Sequence, residues 1–194
     1  MTGFSTRSPV PPDRRPPAVP CRLALIASAS GNGKTTLGRA LAVALRAPFL
    51  ELDALVHGPD WTETPDDALR AQVLPVLAGE SWVIDGVYRH KLGDLVLDAA
   101  DQIVWLDLPI RVWLARLLRR TARRLVRREE LWNGNRESLR SAFGGRDSLI
   151  VYALRTHRQR RRHWPGELAG RPVVRLRTPA AVAAFVQRVG DPLG

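Results

Sequence analysis

The chain has 194 residues, 45% apolar and 25% charged, enough for one domain that buries its own core. A single cysteine, Cys21, excludes an internal disulfide and fits a cytoplasmic protein, and no apolar run approaches the roughly 20 residues that span a bilayer. The net charge of +11 is concentrated: residues 111–162 hold sixteen arginines, four acids and no lysine.

Residues 1–20 carry Pro9, Pro11, Pro12, Pro16, Pro17 and Pro20 and read as a disordered tail with no apolar core of a secretory signal. The domain is expected over 21–194. Leu23 to Ala27 is a short apolar run, a buried strand ending in a Ser/Gly/Asn loop. A helix follows over 35–45, then a strand over 48–52. Residues 65–77 form a helix with Thr64 as N-cap and Pro65 at its first position. A third strand covers 82–85, a short helix 91–99, and a fourth strand 102–108, stopped by Pro109.

The long helix from Arg111 to about Arg128 has two faces. Leu114, Leu117, Leu118, Thr121 and Leu125 make a buried stripe, and Arg116, Arg120, Arg123 and Arg127 the opposite one. Asn133, Gly134, Asn135, Gly144 and Gly145 mark a loop, so residues 120–150 read as an arginine-rich helical lid. A helix over 147–162, a strand over 172–176 and a helix over 179–189 complete the chain. Strands separated by helices predict an α/β fold of three layers with a five-stranded parallel sheet, order 2-3-1-4-5, and ligands at the carboxyl ends of the strands.

The segment Ser28-Ala29-Ser30-Gly31-Asn32-Gly33-Lys34-Thr35-Thr36 joins the first strand to the first helix. Glycines let backbone N–H groups turn inward around phosphate oxygens, and the helix N-terminus adds positive potential. Ser30, Gly31, Asn32, Gly33, Lys34, Thr35 and Thr36 are therefore candidate ATP-binding residues. Lys34 reaches the β/γ-phosphates and Thr35 ligates Mg²⁺. Lys34 is one of only two lysines in the chain, the other being Lys91. Ser28 stands where the strict pattern has glycine, and serine resists positive-φ backbone, so a weakened affinity or altered turn is expected there.

Carboxylates close the other strands. Period two puts Glu51 and Asp53 on one face of the second strand. Asp85 ends the third, beside the phosphate loop. Phosphoryl transfer needs an acid to hold Mg²⁺, a role that suits Asp85, and one to orient the attacking hydroxyl, which suits Asp53. Helix capping by Asp53 and turn formation by Asp85 are the plainer alternatives. Asp107 reads as a cap for the long helix. Arg116, Arg120 and Arg124 are expected to reach the nucleotide when the lid closes. The run Arg158 to Arg162 reads as a solvated helix end, with nucleic-acid contact as the alternative.

Several motifs carry a family resemblance: the phosphate loop, the acid ending strand two, Gly58-Pro59-Asp60-Trp61, Trp82-Val83-Ile84-Asp85-Gly86-Val87-Tyr88, Val104-Trp105-Leu106-Asp107, Asn135-Arg136-Glu137 and Arg175-Leu176-Arg177. Over residues 22–190 the chain resembles the adenylate-kinase-like P-loop group, and within it the DNA topology modulation proteins, which are adenylate kinase-related. Asp85 to Arg89 is similar to the DGxxR stretch of adenylate kinases, which implies Asp85 near Mg²⁺ and Arg89 on the acceptor's phosphate. Val87-Tyr88 replaces the Phe-Pro of that pattern, and no AMP-binding segment is recognisable between Asp53 and Leu77. The Glu51-x-Asp53 pair is similar to shikimate- and gluconate-type kinases, where an acid here meets the acceptor hydroxyl. His57, Trp61 and Tyr88 line the acceptor pocket in this architecture.

Two functions follow. One is a kinase that moves the γ-phosphoryl of ATP, with Mg²⁺, to a nucleotide or small hydroxyl-bearing acceptor. The other is a nucleotide-dependent regulator that binds nucleic acid through the basic segment.

Overall fold

A computed structural model of the chain describes residues 20–127 and 149–191. The expected tail and most of the expected lid, with Asn135-Arg136-Glu137, lie outside the described residues.

The five strands are β1 (Arg22–Ala27), β2 (Phe49–Glu51), β3 (Trp82–Asp85), β4 (Gln102–Leu106) and β5 (Val173–Leu176). All neighbours pair in parallel, in the order β2-β3-β1-β4-β5. Near-continuous apolar strands of this kind need cover on both faces. On one face lie α1 (Lys34–Leu45) and the final helix α8 (Pro179–Gly190), whose Leu37, Leu41, Phe185 and Val189 pack on Leu23, Leu25, Val83 and Val104. The other face is covered by α2 (Leu52–Val56), α3 (Asp66–Leu77), α4 (Arg89–Leu92) and α5 (Leu95–Ala99), through Leu52, Leu69, Val73, Leu92 and Val96. The result is a three-layer sandwich with β1 in the middle of the sheet.

Above the carboxyl ends of the strands, α6 (Ile110–Arg127) and α7 (Leu149–Glu167) form a further small core. Trp113, Leu117 and Ala153 are buried there with Ala29 of the phosphate loop.

Local structure departs from the sequence expectations in instructive places. The second strand stops at Glu51, and Asp53 lies in the first turn of α2. Leu52 and Val56, four apart and fully buried, turn the chain into a helix there. Glu51 and Asp53 therefore do not share a strand face. Pro65, not Thr64, precedes α3, and the Thr64 hydroxyl donates to the Leu55 carbonyl at 2.6 Å. The expected helix over 91–99 is two helices, divided at Gly93 in a left-handed backbone (φ 61°).

On α6 the buried stripe is Trp113, Leu117 and Thr121, with Leu114 half-buried and Leu118 exposed. The Trp113 indole takes the core position and rotates the helix by about one residue relative to the leucine pattern. The helix α7 runs on past Arg162 to Glu167, through Pro165. Asp107 does not cap α6. Its carboxylate turns inward, to Ser28 and Arg175.

Candidate active site

The turn after β1 is built by two glycines. Gly31 (φ 82°) and Gly33 (φ 92°) take the left-handed region, which wraps the backbone around the start of α1. A Cβ at Gly31 would lie 2.6 Å from the Trp113 carbonyl oxygen and 3.0 Å from the Leu117 Cβ, so α6 rests directly on the loop. Asn32 is buried and staples the turn: its amide donates to the Ala29 carbonyl at 2.9 Å, and its oxygen accepts from the Leu108 N–H at 3.0 Å. Its side chain is thus a strut, with the backbone left to face a ligand. Ser30 is half-buried, and Thr36 is exposed on α1.

Lys34 and Thr35 open α1 and both meet Asp85 at the end of β3. The Lys34 ammonium pairs with Asp85 Oδ1, and the Thr35 hydroxyl donates to Asp85 Oδ2 at 2.7 Å. Thr35 Oγ1 also lies 3.2 Å from Glu51 Oε1. Glu51 and Asp85 are direct neighbours across the β2–β3 ladder. Burial, and then the negative Asp85 beside it, pushes the Glu51 carboxyl above its ordinary range. Two crowded carboxylates and a hydroxyl at one point form the oxygen-rich donor set that suits a hard divalent cation, so the residues fit Mg²⁺.

A second cluster lies beside the first. Tyr88 follows the left-handed Gly86 (φ 101°) and is itself left-handed (φ 37°), as is Trp61 (φ 58°). Non-glycine residues seldom take this conformation, and such strain concentrates at functional sites. The Tyr88 hydroxyl donates to Asp53 Oδ1 at 2.6 Å and lies 3.2 Å from His57 Nε2. With its proton directed to Asp53, the phenol oxygen accepts from the His57 N–H. Burial, then the Asp53 charge, pushes the Tyr88 hydroxyl well above its ordinary range, so it stays protonated. His57 meets the Trp61 ring edge-on, with centroids 5.6 Å apart. Trp61 is 46% exposed, so its ring is not part of the core.

The arginines divide. Arg116 Nη1 would lie 3.5 Å from a Cβ at Gly33, so this guanidinium sits over the phosphate loop. Arg120 is half-buried one turn further along α6, and the side chain of Arg124 lies outside the described residues. Arg89 is placed elsewhere than expected. It pairs with Asp94 at 2.6 Å and Glu167 at 2.7 Å in an exposed ion-pair cluster.

Arg160 was missed by sequence reasoning. Its Nη1 donates to the Ala27 carbonyl at 2.7 Å, at the end of β1, and its guanidinium lies over the Trp164 ring at 5.1 Å. Burial lowers its basicity, and the Asp53 charge acts against that. It therefore stands at the carboxyl end of β1, where the phosphate loop begins. Nothing in the run Arg158 to Arg162 distinguishes it by sequence. Only its place on α7, opposite the exposed Arg155, Arg158 and Arg162, does so.

No protein-family model matches the chain, and no curated protein matches it. Among solved structures it is similar to a shikimate kinase from Bacteroides thetaiotaomicron, at 18% identity and TM-score 0.54, with 90% of this chain and 98% of that one covered. It is also similar to a gluconokinase from Sinorhizobium meliloti, at 22% identity and TM-score 0.50, with 90% and 92% covered. The chain has the fold of the P-loop kinases. No helix among the described residues is long and apolar enough to cross a membrane.

Proposed function

We propose that the chain is an ATP-dependent phosphotransferase that phosphorylates a hydroxyl of a small, anionic polyhydroxy compound. The observation that carries this reading is the adjacency of two clusters at the sheet's carboxyl edge: Lys34, Thr35 and Asp85 on one side, Asp53, Tyr88 and His57 on the other. The first is built for the triphosphate and the second for an acceptor hydroxyl.

In this reading the backbone of residues 30–34 cradles the phosphates, and Thr35 and Asp85, with Glu51 beside them, hold Mg²⁺. The bound ion supplies neutralising charge on the β- and γ-phosphates. Asp53, oriented by Tyr88, takes the proton of the acceptor hydroxyl. The acceptor oxygen bonds to the γ-phosphorus as the bond to the ADP oxygen breaks. Lys34, Arg116 and Arg120 stabilise the charge on the transferring group, and Arg124 is proposed to assist them.

The acceptor class follows from the cations. Arg89 is paired with Asp94 and Glu167 on the surface, so the phosphate of a nucleoside monophosphate would compete with two carboxylates for it. Arg160, anchored on the Ala27 carbonyl at the end of β1, is proposed to turn its guanidinium toward a carboxylate of the acceptor. The shikimate kinase and gluconokinase folds support the same class. Affinity with the DNA topology modulation proteins rests on the Trp82–Tyr88 segment, and a cytoplasmic location is part of the same proposal.

The test is transfer from γ-labelled ATP with Mg²⁺ to sugar acids, hydroxy-acids, nucleosides and nucleoside monophosphates. Label on an acid polyol is expected. ATP binding without transfer, together with salt-sensitive nucleic-acid binding lost on replacing Arg155, Arg158 and Arg162, would favour the regulator instead.

A further inference from the structure

Ser28 occupies the position where the strict phosphate-loop pattern has glycine, yet its backbone is not among the positive-φ residues, so glycine's conformational freedom is not used there. Ser28 instead extends the β1–β4 ladder, its N–H donating to the Leu106 carbonyl at 3.0 Å. Its side chain is fully buried. The hydroxyl donates to Asp107 Oδ1 at 2.7 Å and accepts from the Trp105 indole N–H at 2.8 Å. Asp107 is itself buried. Its other oxygen accepts two bonds from Arg175 of β5, at 3.0 and 2.7 Å, and pairs with Arg161 of α7 at 3.2 Å. The Arg175 guanidinium stacks on the Trp105 ring, 3.9 Å from its centroid.

We propose that Ser28 and Asp107 are positioning residues that set the affinity for the nucleotide. This rests on the phosphotransferase reading and deepens it. A single carboxylate joins the start of the phosphate loop, the last strand and, through Arg161, the helix that carries Arg160 into the site. Arg161 and Arg160 are consecutive, and they fasten α7 to Asp107 and to Ala27 on either side of the loop's origin. Arg161 is 48% exposed, so its pair is the weaker fastening, whereas the Ser28 and Trp105 bonds are buried and the Arg175 bonds partly so. A glycine at 28 would leave a buried carboxylate oxygen and a buried indole N–H each short of a partner. The loop would then be held to the end of β4 only by the residue-28 backbone bond to Leu106 and the Asn32 bond to the Leu108 N–H. Serine here substitutes a fixed hydrogen-bonded anchor for the conformational freedom of glycine.

The experiment measures binding of ATP and of a non-hydrolysable analogue by calorimetry, with steady-state kinetics alongside. The proteins are wild type, Ser28→Gly, Ser28→Ala, Asp107→Asn and the Ser28→Ala/Asp107→Asn double variant. Expected are about tenfold weaker analogue binding and higher KM for ATP in both Ser28 variants, with kcat and acceptor KM within about twofold. The double variant should be non-additive, since the two residues share one bond. Thermal melting checks that each variant is folded, and Ser28→Thr, which restores a hydroxyl, should recover part of the affinity if it folds. Wild-type analogue affinity in folded Ser28→Gly and Ser28→Ala would overturn the proposal. Failure of the wild type itself to bind ATP would instead sink the phosphotransferase reading on which it rests.

Discussion

Thr35 donates its hydroxyl to Asp85 at 2.7 Å, across the gap between the first turn of α1 and the end of β3. Neither residue reaches this contact by local preference; β3 lies beside β1 in the sheet, and that adjacency delivers Asp85 to the phosphate loop. Replacing the acid by Asp85→Asn keeps its shape and removes its charge. Phosphoryl transfer at saturating ATP is expected to fall at least about a hundredfold, and the dependence of rate on Mg²⁺ concentration to shift to higher values. Rates measured across a Mg²⁺ titration check both.

Asp53→Asn should lower kcat by about 10²- to 10⁴-fold with ATP binding intact, because only the proton acceptor is lost. Tyr88→Phe removes one oriented hydrogen bond and should cost about tenfold in kcat. Steady-state kinetics with calorimetric ATP binding separates the two effects.

Arg160→Gln is expected to raise the KM for an anionic acceptor about tenfold or more, and to leave a neutral polyol unaffected as a poor substrate. Arg155→Gln, on the exposed side of the same helix, should change neither. Comparing KM for an acid polyol and its uncharged analogue decides this.

Glu51 links the site to stability. Its carboxyl sits above the ordinary 4.5 because of burial and the Asp85 charge, so the folded state disfavours its ionised form. The stability it contributes is present below pH 4.5 and is lost as pH rises through the folded value. Glu51→Gln should therefore raise the melting temperature at pH 7 without added metal, with the gain fading toward pH 4. Mg²⁺ with nucleotide should stabilise the wild type more than this variant. Thermal melts across pH, with and without Mg²⁺, test both statements.

Gly31→Ala should abolish nucleotide binding and lower the melting temperature. The added methyl meets the Trp113 carbonyl at 2.6 Å on a backbone at φ 82°. The left-handed backbone alone costs about 1–2 kcal/mol, and contact with a rigid helix carbonyl adds to it.

The fold was legible because its signals are local and repeated. Apolar runs of strand length alternate with helical periods, and the Gly33-Lys34-Thr35 turn fixes which strand is central. The errors arose where tertiary contact overrode local pattern. Leucine spacing on α6 pointed to Leu114 and Leu118, but the larger Trp113 indole took the buried position. Asp107 had the spacing of a helix cap, and two arginines distant in sequence drew it inward. Arg160 lay within a run of five residues of which four are arginine, where composition makes each look alike. Its role depends on which side of α7 faces Ala27, a fact of docking that no local pattern contains.

The most direct measurement is phosphoryl transfer from γ-labelled ATP and Mg²⁺ to an acidic polyol, with wild type and Lys34→Ala run side by side. Lys34 pairs with Asp85 and is proposed to meet the γ-phosphate, so transfer by the wild type and a loss of at least about a hundredfold in the variant are expected. Equal transfer by both proteins, or none by wild type that binds ATP, across the whole acceptor panel, would contradict the account.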